Sequence, residues 1–409
     1  MKRNIFKYAL WPIYFFSFFG AQYLSNWWTL GVSGIRGGNF IDLGAVLRWT
    51  DCFRTAGTSV YGPEDGKCGG YLYGSTLLRL FNLLGISAAQ TKFWGLFGGA
   101  VICISLGALA IFFTNKKGLN PILVGLVLSS PGLWLLVERG NIDELIFLLV
   151  LASSMLIAKG FEIPAILLIA ITALFKFYTV PLLLVLAVIG KSKRTRVMAL
   201  IVFLIVIPFI AIDYLNIQAV FPNTWFVSFG APGIGFWINL FGEQFGLGLL
   251  HIGALAGHGL GLVILGLSAV IIRRFSNKRV KNFMNSNIEE TNRSWADLLF
   301  LIFGSVFITC YLLGMNYDYR LIFAAVSGIA LISKNSDKDL AGIIKVSLLL
   351  GLWLSSFSFG ILNDPSVETV IPFILIQFIG DIALGIFFTF LSLELIETLK
   401  EKLKIFQIR

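Results

Sequence analysis

Between Phe93 and Phe113 the chain runs through apolar residues without a single charge, and Leu298–Leu313 does the same. Runs of roughly 18 or more such residues, coiled as helices, match the ~30 Å hydrocarbon core of a bilayer. A membrane β-barrel would show alternation over about 10 residues instead, and that pattern is absent. Residues are 57% hydrophobic and only 13% charged, too little polar surface for a water-soluble domain. The first apolar run, Tyr8–Leu30, follows Lys2, Arg3 and Lys7. It is longer than a signal-peptide core and lacks a small-x-small cleavage site, so it reads as the first span.

A net charge of +10 invites comparison with nucleic-acid binders. No basic, aromatic-interleaved surface of that kind is visible, so no nucleic-acid partner is expected. The charge fits the excess of Lys and Arg on the inner side of polytopic proteins, with membrane lipids as partners. Counting Lys and Arg by side gives about twelve crossings, both termini cytoplasmic, in a multi-pass protein of the plasma membrane.

One stretch tests this topology. Ile163–Ile189 is long enough to be a single helix, but that would leave Lys191, Lys193, Arg194 and Arg196 outside. The run therefore splits at Phe175-Lys176-Phe177-Tyr178 into two short helices, with Lys176 near the outer turn. Pro121–Val137 and Leu145–Ala158 are read as two further short spans. The whole, 1–409, is one transmembrane domain. It comprises an outer loop at 31–92 with interfacial helices, a helical core at 93–215, an outer loop at 216–251 and C-terminal helices at 252–409.

Under this topology the chemically capable groups gather on the outer side. Asp42 opens Asp-Leu-Gly-Ala-Val-Leu-Arg and has two readings: the cap of a short helix, or a general base. Asp51 has Arg48 and Arg54 at helical spacing and reads as a surface ion pair. Arg48, Arg79, Lys176 and Arg320 are either snorkelling anchors or phosphate contacts. Asp318 and Arg320 share a tight turn, and Tyr71 and Tyr73 fit an interfacial belt or sugar stacking. Asn141 and Asp143 follow Arg139 in a second outer joint. Cys52 and Cys68 share the outer segment and can pair if that side is oxidising, which spacing alone leaves open. His251 and His258 have no metal-ligand cluster around them, so no metal and no cofactor are expected. There is no P-loop, GxGxxG or GxSxG, hence no soluble nucleotide-sugar domain, and any sugar donor would be lipid-linked.

An Asp opening a short helix, then Gly57 and Tyr61, then Tyr71-x-Tyr73, resembles the first outer loop of glycosyltransferase family 87. Arg139-Gly140-Asn141-Ile142, a span, and Leu174-Phe175-Lys176-Phe177-Tyr178-Thr179-Val180-Pro181 resemble that family's second block. The matched stretches cover about 39–187. Two departures stand out: the usual Pro-Pro after Tyr-x-Tyr is Gly74-Ser75, and a Cys pair frames the loop. The resemblance implies an all-α GT-C fold and an inverting transfer with Asp42 as base. It implies a hexose, such as mannose, carried on a polyprenyl phosphate and passed to a glycan or glycolipid acceptor. Lys176, Arg320, Arg48, Arg79, Tyr71, Tyr73, Asn141 and Asp318 would line that site. The rival reading is a transporter or flippase for a lipid-linked sugar. It calls for inverted repeats and midplane charges, and the sequence displays neither.

Overall fold

The computed structural model describes residues 10–20, 39–56, 60–61, 68, 70–71, 73–218, 228–230, 259–267, 270, 295–313, 316–317, 320–334, 338–355 and 367–407. Among these, four helices are long and apolar enough to cross a membrane: Ala88–Lys116, Lys193–Leu215, Trp295–Leu312 and Leu375–Lys400. The count is five if Pro121–Leu128 and Pro131–Arg139 form one broken span. The protein is helical and membrane-embedded. A two-residue antiparallel ladder, Ser228–Phe229 on Asn316–Tyr317, is the one departure among the described residues. Of the expected first span, Leu10–Gly20 is helical, while 21–30 lie outside the described residues, as does most of the 216–251 loop.

The described chain falls into two compact units. The first draws on Met1–Asn26, Arg36–Ile111 and Trp134–Asn223. It contains α1 (Leu10–Gly20), α2 (Ile41–Ala56), α3 (Ser75–Leu83), α4 (Thr91–Ile111), most of α6 (Pro131–Arg139), α7 (Asp143–Ala158), α8 (Glu162–Phe175), α9 (Pro181–Ile189) and α10 (Lys193–Gln218). Glycines let α4 approach its neighbours closely, as packing in lipid favours. A Cβ on Gly95 would strike the ring of Phe40, and one on Gly98 would strike the carboxylate of Glu144. The helices α2 and α3 are short and amphipathic. Leu43, Val46 and Leu47 of α2 and Leu77, Leu78 and Phe81 of α3 are buried, whereas Leu83 is 82% exposed. On α2 the exposed positions are polar instead: Arg48, Arg54 and Thr55.

The expected split of 163–189 is present. The helix α8 ends at Phe175, Lys176 is extended, a 3₁₀ turn covers Phe177–Thr179, and Pro181 starts α9. Breaking a helix strands backbone carbonyls, which must be satisfied away from water. Here Gly74 N–H donates to Phe175 O at 3.1 Å, and Gly74 lies so close to Leu174 O that a Cβ would overlap it. The absence of a side chain at Gly74 is thus what lets this segment seal the broken helix. At the other end Glu162 accepts from Lys191 N–H at 3.1 and 3.2 Å, tying the start of α8 to the α9–α10 joint.

The 121–137 stretch differs from expectation. It is two helices, α5 (Pro121–Leu128) and α6, broken at Ser129-Ser130 and bent by 45°. Pro131 has no N–H to continue α5, and the Ser129 hydroxyl turns back onto the Gly125 carbonyl.

The second unit draws on Trp27–Ile35, Phe112–Leu133 and Thr224–Arg409. Its helices include α5, α11 (259–267), α12 (Trp295–Leu313), α13 (Leu321–Lys334), α14 (Lys338–Leu354) and α15 (Val367–Gln407). Every residue of α13 from Leu321 to Ile332 is buried, so this apolar helix is a core element. Gly328 meets Leu348 and Phe387, and Gly351 meets Leu384, bringing α13, α14 and α15 close. The carboxylate of Asp297 pairs with Lys334 at 3.0 Å across the open end of the α12–α13 hairpin.

Candidate functional site

Asp42 sits at the second position of α2, inside the helix rather than ahead of it. The capping reading therefore does not describe it, because its side chain leaves the helix. Arg139 donates to Asp42 Oδ1 from Nε at 2.9 Å and from Nη2 at 2.5 Å, while Asn141 Nδ2 donates to Oδ2 at 2.6 Å. The pair is neither sealed nor free: the Asp42 side chain is 15% exposed and that of Arg139 21%. An ionised carboxylate has about four acceptor positions, and these three bonds take three of them.

The backbone explains how these groups meet. Gly140 takes φ +56°, a left-handed conformation suited to glycine, and packs against Phe40 and Leu43. Phe40 itself has φ +64°, uncommon for a bulky side chain. It is held there by its N–H donating to Glu138 O at 2.7 Å and by its ring lodging against Gly95 and Gly140. Residues kept in sparse regions by their surroundings concentrate at functional sites.

The network continues inward from Asn141. The amide oxygen of Asn141 accepts from Asp143 N–H at 3.0 Å, which fixes the amide so that its NH₂ faces Asp42. Asp143 Oδ1 pairs with Lys176 Nζ at 2.7 Å and also accepts from the Tyr178 hydroxyl. Both partners are buried, with side-chain exposures of 6% for Lys176 and 0% for Asp143. Lys176 Nζ also lies 4.5 Å from the centroid of Tyr73, within cation–π range. Asp42 and Lys176 are therefore the two ends of one continuous polar chain.

Aromatic residues wall its far end. Tyr71 meets Trp49, Tyr61 and Tyr73, the first two edge-on and the third tilted, with centroids 5.3–5.6 Å apart. The Tyr71 hydroxyl donates to Gly74 O and that of Tyr61 to Tyr73 O. Burial, reinforced by the neighbouring tyrosines and Asp213, pushes the Tyr71 phenol well above its ordinary value. Burial and then Asp213 raise Tyr61 in the same way. Both stay neutral donors at any physiological pH. Asp213, near the end of α10, accepts from Ser75 N–H and hydroxyl at 3.0 and 3.3 Å, placing a carboxylate at the N-terminus of α3.

The Cys52–Cys68 disulfide is formed, with Cα atoms 5.6 Å apart. It closes the segment that carries Val60 and Tyr61 back onto α2, and Val60 O accepts from Tyr71 N–H. A closed loop of about this length stabilises a fold by about 3 kcal/mol. Replacing both cysteines with serine is expected to lower stability by that order, read as a drop in Tm of the purified protein. An unchanged Tm would contradict the tether.

Of the other expected site residues, Arg48 and Arg79 are exposed on α2 and α3. Arg320 is half-buried just ahead of α13 in the second unit, and Asp318 lies outside the described residues, as do His251 and His258. The Asp51–Arg54 pair forms at 3.2 Å, and Arg54 also reaches Asn82 and Ile86 O. The sequence reading did not foresee that Arg139 and Asn141 hold Asp42, that Asp143 is the counter-ion of Lys176, or any role for Asp213. Asp213 had a signal: it is the single charge in the run Val197–Leu215. No protein-family model, curated protein or solved structure matches this chain.

Proposed function

We propose that the protein is a polytopic membrane glycosyltransferase of GT-C type. In this reading the chain crosses the bilayer about twelve times with both ends cytoplasmic, and the site opens on the extracytoplasmic face. The donor is a hexose, such as mannose, on a polyprenyl monophosphate, and the acceptor is a hydroxyl of a glycan or glycolipid. One observation carries the reading. A partly open carboxylate held by an Arg and an Asn is joined through a short polar chain to a buried Lys under a tyrosine wall. The sequence resemblance set out above, read through the same residues, supports it.

In the reaction Asp42 takes the proton from the acceptor hydroxyl as that oxygen bonds to the sugar C1. The bond from C1 to the phosphate oxygen breaks, and its electron pair leaves with the polyprenyl phosphate. The proton on Asp42 then passes to water or to the departing phosphate. Configuration at C1 inverts, since attack and departure occur on opposite faces. Tyr71, Tyr73 and Asn141 shape and order the site, while Arg48 and Arg79 are candidate contacts for the substrates' outer parts. Lys176 is neutralised by Asp143 and sets the charge balance beneath the site. No metal is needed for a lipid monophosphate to leave.

Purified protein incubated with a polyprenyl-phosphate hexose and a glycolipid acceptor fraction is expected to release polyprenyl phosphate. Intact donor after prolonged incubation, with the protein folded, would reject the reading. Movement of intact donor between leaflets of a vesicle, with no release, would favour a flippase instead.

A further inference from the structure

We infer that Arg139 is a donor-binding residue that exchanges Asp42 for an anionic oxygen of the lipid phosphate, so that donor arrival frees the base. The inference rests on the glycosyltransferase reading above and assigns the order in which its site fills. Three observations carry it. First, Asp42 Oδ1 is engaged twice by one guanidinium, so the base is held in an ion pair. The two N–H donors fill the acceptor positions of that oxygen, so a hydroxyl cannot reach it while the pair is closed. Second, that cation is open to solvent in a way Lys176 is not. Arg139 is 21% exposed on the last turn of α6, whereas Lys176 is 6% exposed and already bound to a fully buried carboxylate. Third, Asn141 holds Asp42 from the other side and is itself fixed by Asp143 N–H. The carboxylate would therefore keep its place when the guanidinium turns away.

The chemistry favours the exchange. A guanidinium grips phosphate through paired N–H donors as it grips carboxylate, and a phosphate monoester or diester oxygen competes for the same fork. Before donor binding Asp42 is masked, and afterwards one cation stabilises the leaving group while the base is released. The acceptor's hydroxyl is then activated only when a donor is in place, which imposes donor-first binding.

The exchange predicts a particular double-mutant cycle. The probe is a sugar-free polyprenyl phosphate titrated into the purified full-length protein in detergent, with inorganic phosphate in a parallel arm. If Asp42 and phosphate compete for Arg139, Asp42→Asn tightens lipid-phosphate binding about tenfold or more, the scale of a charge-assisted hydrogen bond. Arg139→Ala weakens it by a similar factor, and adding Asp42→Asn to Arg139→Ala changes nothing further. Thermal unfolding of each variant establishes that it is folded. If Arg139→Ala does not fold, Arg139→Lys replaces it in the cycle, with the gain from Asp42→Asn expected to shrink. An equal gain from Asp42→Asn with or without the guanidinium would mean repulsion through space and would overturn the exchange. So would no gain at all. Inorganic phosphate giving the same pattern at the same affinity would overturn the lipid as ligand. Wild-type protein that binds no polyprenyl phosphate would instead reject the donor class of the proposed function, and the inference with it.

Discussion

Asp42→Asn is expected to lower sugar transfer by about 10²–10⁴-fold, the contribution typical of a general base, while the protein stays folded. The substitution keeps the volume and an amide oxygen that can still accept from Arg139, but removes the charge that accepts the proton. Stability should change modestly, because Asp42 does not cap α2 and the pair it forms is partly open to solvent. The check is release of polyprenyl phosphate by wild type and variant at equal folded concentration. Turnover within a factor of a few of wild type would remove Asp42 from the role of base. The neighbouring Asn141 gives an independent comparison. Asn141→Asp would set a second carboxylate against Asp42, turning an attraction into repulsion at the same spot.

Lys176→Met is expected to destabilise the fold by about 3–5 kcal/mol, the cost of leaving one member of a buried ion pair alone. Its partner, Asp143, is fully buried and shares its Oδ1 with the Tyr178 hydroxyl. Lys176→Met strands that carboxylate at the first turn of α7, at the joint that also presents Asn141 to Asp42. Adding Asp143→Leu to Lys176→Met should recover much of the stability, since an apolar pair of similar volume replaces the ionic one. The backbone N–H at position 143 that fixes the Asn141 amide is retained in both variants. Equilibrium unfolding of the three proteins reads this directly. A Lys176→Met protein as stable as wild type would show that the ammonium is not committed to Asp143.

Much of this was legible in the chain, for identifiable reasons. The break at Lys176 was readable because a lysine interrupts an apolar run and the basic cluster behind it must stay on the inner side. Asp42 was singled out by its place in the polar segment that carries it. The contacts that give these residues meaning were not. Arg139 and Asp42 are far apart in sequence, and no periodicity links them. They meet because Gly140 and Gly95 leave room for Phe40 in a left-handed turn, a three-body fit invisible to pattern reading. The pairing of Lys176 with Asp143 follows from burial, which sequence does not report. The bend within 121–137 was not foreseen because Ser129-Ser130-Pro131 weighs little in an apolar average, although Pro131 removes the donor that a continuous helix needs. The glycines at 74 and 328 likewise look like ordinary loop or helix residues until the backbones they admit are seen.

The account is tested most directly by a structure of the protein with a non-hydrolysable polyprenyl-phosphate sugar bound. It predicts the sugar C1 facing Asp42, a phosphate oxygen within hydrogen-bond reach of the Arg139 guanidinium, and the Asp42–Arg139 pair opened. A donor seated elsewhere, with Asp42 still locked to Arg139 and far from C1, would contradict it.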